Sequence, residues 1–290
     1  MADFVIIPDA SSDLTRDLRE RFHIPDYIRG TFYYPDGTEA TADLDWELMD
    51  PVTYYNSMSG RKVLYKTASA KKSEILRVYE KFLQEGKDIL AVTLSSGLSG
   101  TNQVCRKVAE ELMEQYPDRT VKVVDTLAAS LGQGMYVWYA CKKRDEGLSL
   151  EELTAWVEEN KLHICHWVTV DDLNHLKRGG RISATTAIVG GMLNIKPIIY
   201  VDNDGHLIST AKVRGRKAAM DYLAKKLRET ATDLDTVFIA HGDCPQDAAA
   251  LEVLVKEAGA KNVLTGYVGP VIGAHTGPGV LVVFFLGKNR

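Results

Sequence analysis

The sequence contains few cysteines, no long hydrophobic run and no long cluster of lysine and arginine. Its four cysteines, Cys105, Cys141, Cys165 and Cys244, are widely spaced and mostly lie in apolar patterns. Such a distribution indicates reduced core thiols rather than a disulfide framework, and it predicts a cytoplasmic protein. The most apolar run, Val280 to Leu286, is too short to span a bilayer. The first residues lack a basic region followed by an apolar stretch, so we expect no signal peptide.

The charge balance argues against a nucleic-acid-binding protein. The formal net charge is −4 and the pI is about 6.0, whereas a nucleic-acid-binding face needs concentrated positive charge. With 45% hydrophobic and 26% charged residues, the composition is that of an ordinary soluble globular protein. A length of 290 residues favours two domains over one and is sufficient to enclose a ligand cavity.

A loop rich in serine and glycine follows the predicted buried strand Asp88–Thr93 and opens a predicted helix from Thr101 to Tyr116. Backbone N–H groups at the start of a helix have no internal partner, and the helix dipole makes them attractive to anions. Gly97 and Gly100 allow a ligand to approach the backbone closely. Four hydroxyl groups add donors, from Ser95, Ser96, Ser99 and Thr101.

The chemistry of this loop suits one carboxylate or one phosphate. It contains no lysine or arginine and no Gly-Lys-Ser/Thr sequence, which excludes a Walker-type triphosphate cradle. Plain helix capping by serine and threonine is the alternative interpretation.

The order of elements predicts an α/β protein of two domains. Strands alternate with helices to about residue 160, which indicates an N-terminal, Rossmann-like domain with a parallel sheet over residues 1–161. In residues 162–290 a hairpin is predicted around Asp202-Asn203-Asp204-Gly205, which indicates a C-terminal α+β domain with a mixed sheet.

His163, Cys165 and His166 invite a metal interpretation. On a strand, the first two share one face while His166 points to the other, and no second pair of ligands follows at zinc-like spacing. We therefore predict no metal site.

His275 lies among four glycines and two prolines, in a segment with little helix or strand character. A site role and a structural hydrogen bond are both open there. The chain order serine, aspartate, histidine matches α/β-hydrolases, so a serine esterase or thioesterase using Ser95 or Ser96 with His275 is an alternative function. The hydrolase Gly-x-Ser-x-Gly elbow is incomplete here, since Thr101 stands where its last glycine belongs.

Two pairs of arginines flank glycines at predicted turns. Arg178 and Arg181 follow a short predicted helix, and Arg214 and Arg216 follow a predicted strand. We expect exposed side chains that dock a partner, because arginine pairs bidentately with carboxylates. The alternative is that they only solvate the surface or brace a loop.

Taken together, seven segments resemble the DegV family over essentially the whole chain. They are Asp9–Leu14, the loop at Thr67, Ser95–Thr101, Val170–Leu173, Lys177–Ile182, Ile195–Ile198 and Gly269–Gly279.

The resemblance implies a two-domain α/β protein that binds one long-chain fatty acid between its domains. Members include the fatty-acid-binding subunits of bacterial fatty acid kinase. These present the carboxylate to a separate kinase, which makes an acyl phosphate for phospholipid synthesis. The implied protein is not an enzyme, needs no cofactor and allows transient membrane contact. A lipid-binding regulatory protein with a different partner is the remaining alternative.

By position, the resemblance implies that five residues bind the carboxylate: Thr67, Ser95, Ser96, His275 and Thr276. This chain departs from the family pattern after Thr67, where it has Ala68-Ser69-Ala70 and lacks a usual serine and proline. The small apolar stretch from Ala184 to Leu193 is expected to help line the acyl-chain cavity.

Overall fold

The structure, a computed structural model, describes residues 4–61, 63–182, 194–288 and 290. The stretch Ala184 to Leu193, expected to line a cavity, lies outside the described residues. The strands are β1 Phe4–Pro8, β2 Gly30–Tyr33, β3 Glu39–Ala42, β4 Lys66–Ala68, β5 Asp88–Thr93, β6 Val121–Asp125, β7 Ile164–Thr169, β8 Ile195–Val201, β9 Leu207–Arg214, β10 Ala231–His241, β11 Asn262–Tyr267 and β12 Leu281–Gly287. The helices are α1 Arg16–Arg21, α2 Pro51–Met58, α3 Lys72–Gln84, α4 Thr101–Gln115, α5 Leu131–Asp145, α6 Leu150–Asn160, α7 Leu173–Arg178, α8 Arg216–Thr230, α9 Pro245–Glu257 and α10 Pro270–Thr276.

The N-terminal half contains the predicted parallel sheet, with strand order β1-β5-β6. The interior of strand β5, Ile89–Val92, is apolar because helices cover both of its faces. Its Leu90 and Val92 pack into one core, whereas Ile89 and Ala91 pack into another. The loops after β1, β5 and β6 therefore meet at the carboxyl edge of one sheet, where ligands bind in such folds.

A small antiparallel sheet, ordered β3-β2-β4, was not expected. The segment at Thr67, predicted to be a loop, forms β4, and Thr67 pairs with Phe32 of β2. Local sequence favours no strand here, because the strand pairing of these three residues comes from β2, more than thirty residues earlier in the chain.

The C-terminal half contains a six-stranded mixed sheet ordered β11-β10-β12-β7-β8-β9. Strands β10 and β11 are parallel, the other neighbours are antiparallel, and β8 and β9 form the predicted hairpin. In the β12–β7 pair, Phe284 lies opposite His166 and Val282 lies opposite Val168. The α/β prediction is thus confirmed, and the domain boundary at residues 161/162 remains a prediction that falls between α6 and β7.

The segment around His275, predicted to be irregular, forms helix α10. Proline at the first helical turn favours its start, and Gly277, with φ +73°, ends it in a conformation that glycine adopts without strain. Within the described ranges, no helix is both long enough and apolar enough to cross a membrane.

Candidate functional site

A cavity lies between the carboxyl edge of the parallel sheet, β4, helix α10 and the mixed sheet. It encloses about 970 Å³ of empty space when the open mouth is included. Its walls are mostly aliphatic, and polar side chains occupy limited parts of them. A long apolar ligand with one polar group fits such a lining.

The mixed sheet gives the cavity its long axis. Val280, Val282 and Phe284 line it in sequence, because every second residue of a strand shares one face. At about 3.3 Å per residue, this row extends about 13 Å away from α10. Phe284 and His166, which lie opposite each other, mark the far end of the row, and their rings meet edge to face.

The end of the cavity near α10 contains a hydrogen-bonded pair that joins distant parts of the chain. Thr67 Oγ1 lies 2.7 Å from His275 Nε2, and both residues line the cavity. The structure thus brings together two of the residues predicted to bind a carboxylate. Thr276 also lines the cavity, but its hydroxyl donates to the Ile272 carbonyl at 3.2 Å.

The imidazole of His275 is neutral near pH 7. Burial, aided by the positive charge of Arg181, lowers the pKa of His275 to about 4. Its Nδ1 atom is buried without a hydrogen-bond partner among the described residues. A proton on Nε2 donates to Thr67 Oγ1, and this tautomer avoids a buried, unpaired N–H at Nδ1. In that state the hydroxyl hydrogen of Thr67 remains available to a ligand.

The hydroxyls of the serine-glycine loop differ in whether they face the cavity, and carboxylate binding by Ser95 and Ser96 stays a prediction. Among the described lining residues are Ser99 and Thr101, and not Ser95 or Ser96. Ser95 is fully buried and donates to the Gly205 carbonyl at 2.9 Å, whereas Ser96 is exposed. The backbone path of the loop decides which hydroxyls reach the cavity, because successive side chains of an irregular segment point in different directions.

Ser99 and Thr101 retain a donor for a ligand. Their hydroxyl oxygens lie 3.0 Å apart, so one hydroxyl hydrogen is used between them and the other remains. Thr101 also accepts the Ala70 N–H at 3.3 Å, which ties this loop to β4.

The geometry does not assemble a serine-hydrolase triad from the described residues. A triad needs a serine hydroxyl on the histidine and a carboxylate that orients the ring. Ser95 is committed to Gly205, His275 Nε2 is paired with Thr67, and no carboxylate reaches Nδ1.

The four arginines expected to be exposed divide into two groups. Arg178 and Arg214 are exposed. Arg181 instead lines the cavity, where it donates to the carbonyls of Leu98 at 3.2 Å and Gly179 at 2.5 Å.

Arg216, which was also expected to be exposed, is not. It is largely covered, donates to Asp247 at 2.7 Å and lies 3.8 Å from Asp171. Helix α8 begins at this residue and turns its side chain towards these carboxylates, which are distant in sequence.

Sequence reasoning missed the part that Asp9 plays in the cavity wall. Its two carboxylate oxygens each accept a backbone N–H at 2.8 Å, from Ser11 and from Leu94. The carboxylate thereby links the first two loops at the sheet edge. Burial raises the pKa of Asp9, and these two bonds oppose that shift. The position of Asp9 directly after a predicted strand is the sequence feature that could have indicated this role.

His166 is the polar residue of the far end. Its Nε2 accepts the Ala129 N–H at 3.4 Å, so the ring proton lies on Nδ1, which donates to Ile164 at 3.0 Å. His163 bonds elsewhere, to the Gly287 carbonyl at 3.1 Å. The expected absence of a metal site stays a prediction.

Comparison with known proteins shows the family. A family model described as "Uncharacterised protein, DegV family" matches residues 3–288. A DegV domain-containing protein of Clostridium perfringens is 41% identical over 100% of this chain and 99% of its own length.

Solved structures of DegV family proteins share the fold of this chain. A DegV family protein of Thermus thermophilus, described as fatty acid binding, has a TM-score of 0.86 and 30% identity over 98% of this chain and 99% of its own. DegV of Bacillus subtilis, described as a fatty acid binding protein, has a TM-score of 0.83 and 25% identity over 99% and 100%. By fold and by sequence along nearly its whole length, this chain belongs to the DegV family.

Proposed function

We propose that this protein binds one long-chain fatty acid between its two halves and presents the carboxylate to a separate fatty acid kinase. The observation that carries the proposal is a long, mostly aliphatic cavity whose polar lining includes neutral hydroxyl donors and two arginines, Arg29 and Arg181. Relatives described as fatty acid binding share the fold that encloses this cavity.

The carboxylate is bound near Thr67. The Thr67 hydroxyl donates to it while accepting the His275 Nε2–H, and the free hydroxyl hydrogen of the Ser99–Thr101 pair donates as well. Arg181 supplies positive charge, and within the described part of the chain no carboxylate pairs with it. Hydrogen bonds to a charged group contribute about 1.5–3 kcal/mol each.

The acyl chain lies along the row formed by Val280, just before β12, and by Val282 and Phe284 of β12. Each buried methylene contributes about 0.8 kcal/mol, so about fifteen methylenes offer roughly 12 kcal/mol before the costs of ordering and association. The tail therefore supplies most of the affinity, and the polar end fixes the orientation.

Presentation to a kinase requires an accessible carboxylate edge with recognition charges near it. Arg178 and Arg214 are exposed, and Arg178 ends the helix that packs against α10. We assign kinase docking to these two residues.

The cysteines of the chain are free thiols, which supports a cytoplasmic setting. Transient membrane contact during loading belongs to the same proposal.

Native mass spectrometry of the protein as purified tests the binding step. We expect added mass equal to one fatty acid, lost on denaturation. An acyl adduct that survives denaturation would instead support the esterase. If the protein arrives empty and does not take up palmitate or oleate, the proposal is wrong. A coupled assay with purified kinase, ATP and hydroxylamine trapping then tests acyl phosphate formation.

A further inference from the structure

We propose that Arg290 is a positioning residue that closes the far end of the cavity and so limits the length of acyl chain it accepts. This inference rests on the proposed fatty acid binding. The residue lies outside every segment that the sequence analysis singled out.

All five N–H donors of the Arg290 guanidinium are used. Nε donates to the Ile164 carbonyl at 3.2 Å. Nη1 donates to Leu127 at 2.5 Å and to Asp202 at 3.2 Å. Nη2 donates to Thr126 at 3.1 Å and to Lys161 at 2.6 Å. A planar guanidinium has five donors in a fixed fork, so this set saturates it.

The carbonyls that Arg290 binds come from segments far apart in the chain. Thr126 and Leu127 follow β6, Lys161 follows α6, Ile164 begins β7, and Asp202 follows β8. One side chain thus joins the edge of the parallel sheet to the hairpin of the mixed sheet.

Three of these acceptors lie one or two residues from a residue that lines the cavity. Ile164 precedes His166 on the same face of β7, and Leu127 precedes Ala129. Asp202 directly follows Val201, which lines the cavity from β8. The guanidinium therefore lies behind the wall at the far end of the Val280–Phe284 row, opposite the Thr67–His275 pair.

Hydrogen bonds, rather than ion pairs, hold the Arg290 side chain in place. Among the described residues, the partners of Arg290 are neutral carbonyl groups. Leu127, with φ +51°, and Ser130, with φ +57°, are held in a conformation that such residues rarely adopt. Strained backbone persists where surrounding contacts hold it, and Arg290 binds the carbonyl of the strained residue Leu127, so loss of Arg290 releases the segment that leads to Ala129 at the cavity wall.

The test is a profile of affinity against chain length, measured for myristate, palmitate, stearate and arachidate with the delipidated full-length protein. The variants are Arg290→Gln, which cannot reach all five carbonyls, and Arg290→Lys, which keeps the charge but not the fork. Arg228→Gln, an exposed arginine on α8, is the matched control.

We expect the parent and the control to share one profile. In both Arg290 variants the affinity ratio of arachidate to palmitate should rise, by about fourfold for each further methylene that the opened end admits. Equal losses at every chain length, or an unchanged profile, would overturn the inference. If Arg290→Gln does not fold, Arg290→Lys is judged by the same criterion. A parent that binds none of the four acids would refute the proposed function instead.

Discussion

Replacing Thr67 by valine removes the hydroxyl at the proposed carboxylate site and keeps the shape of the side chain. Thr67 is half-buried on β4, and its Oγ1 lies 2.7 Å from His275 Nε2. The variant therefore loses the donor to the ligand and also leaves His275 without its partner. Valine is compatible with a strand, so β4 should still pair with β2.

The expected loss of affinity follows from the charge of the ligand. A hydrogen bond to a charged group is worth about 1.5–3 kcal/mol, which corresponds to roughly a 10- to 150-fold weaker binding of palmitate. The unpaired imidazole nitrogen adds a loss of about 1–3 kcal/mol in the free energy of unfolding of the ligand-free protein. Affinity and stability should therefore both fall.

Isothermal titration calorimetry with palmitate measures the first effect, and urea denaturation of the delipidated protein measures the second. Thr67→Ser keeps the hydroxyl and should bind nearly as the parent does. Thr41→Val, at an exposed threonine on β3 of the same sheet, should change neither quantity. If Thr67→Val binds palmitate as tightly as Thr41→Val, the carboxylate is not at Thr67 and the orientation of the ligand is wrong.

Further outcomes follow from other parts of the structure. Burial, with the charge of Arg290, lowers the pKa of His166 to about 3, so the unfolded state takes up its proton first as the pH falls below 6.5 and stability declines from there downwards. Between pH 7 and pH 5 the free energy of unfolding should thus drop by about 2 kcal/mol less in His166→Gln than in the parent, and equal drops in urea titrations would contradict this. Reversing the charges of Arg178 and Arg214 together should slow acyl phosphate formation by the kinase and leave palmitate affinity unchanged; unaltered coupling would remove both residues from the docking surface. Hydrolysis of acyl esters should not exceed background, and turnover that Ser95→Ala abolishes would promote the esterase.

Much of the architecture was predictable because it depends on signals within a few residues. Ile89–Val92 form a continuous apolar run within strand β5. Helix α2 begins at Asp50-Pro51, where the aspartate accepts the Thr53 N–H and proline occupies the first turn. The β8–β9 hairpin follows from its Asp-Asn-Asp-Gly turn. For these elements, local hydrogen bonds and side-chain periodicity decide the conformation, and both can be predicted from neighbouring residues in the sequence.

The sequence by itself also determined the family, and the resemblance named Thr67 and His275 as carboxylate-binding residues, a role that stays a prediction. Only the tertiary structure decided which side chains meet. It placed Ser99 rather than Ser96 at the cavity, turned Arg181 inward, paired Arg216 with carboxylates and closed Arg290 over five carbonyls. Local patterns say which residues are polar, but the direction in which a loop side chain points depends on packing against segments that the chain supplies a hundred residues away. That packing exists only when the whole fold has formed.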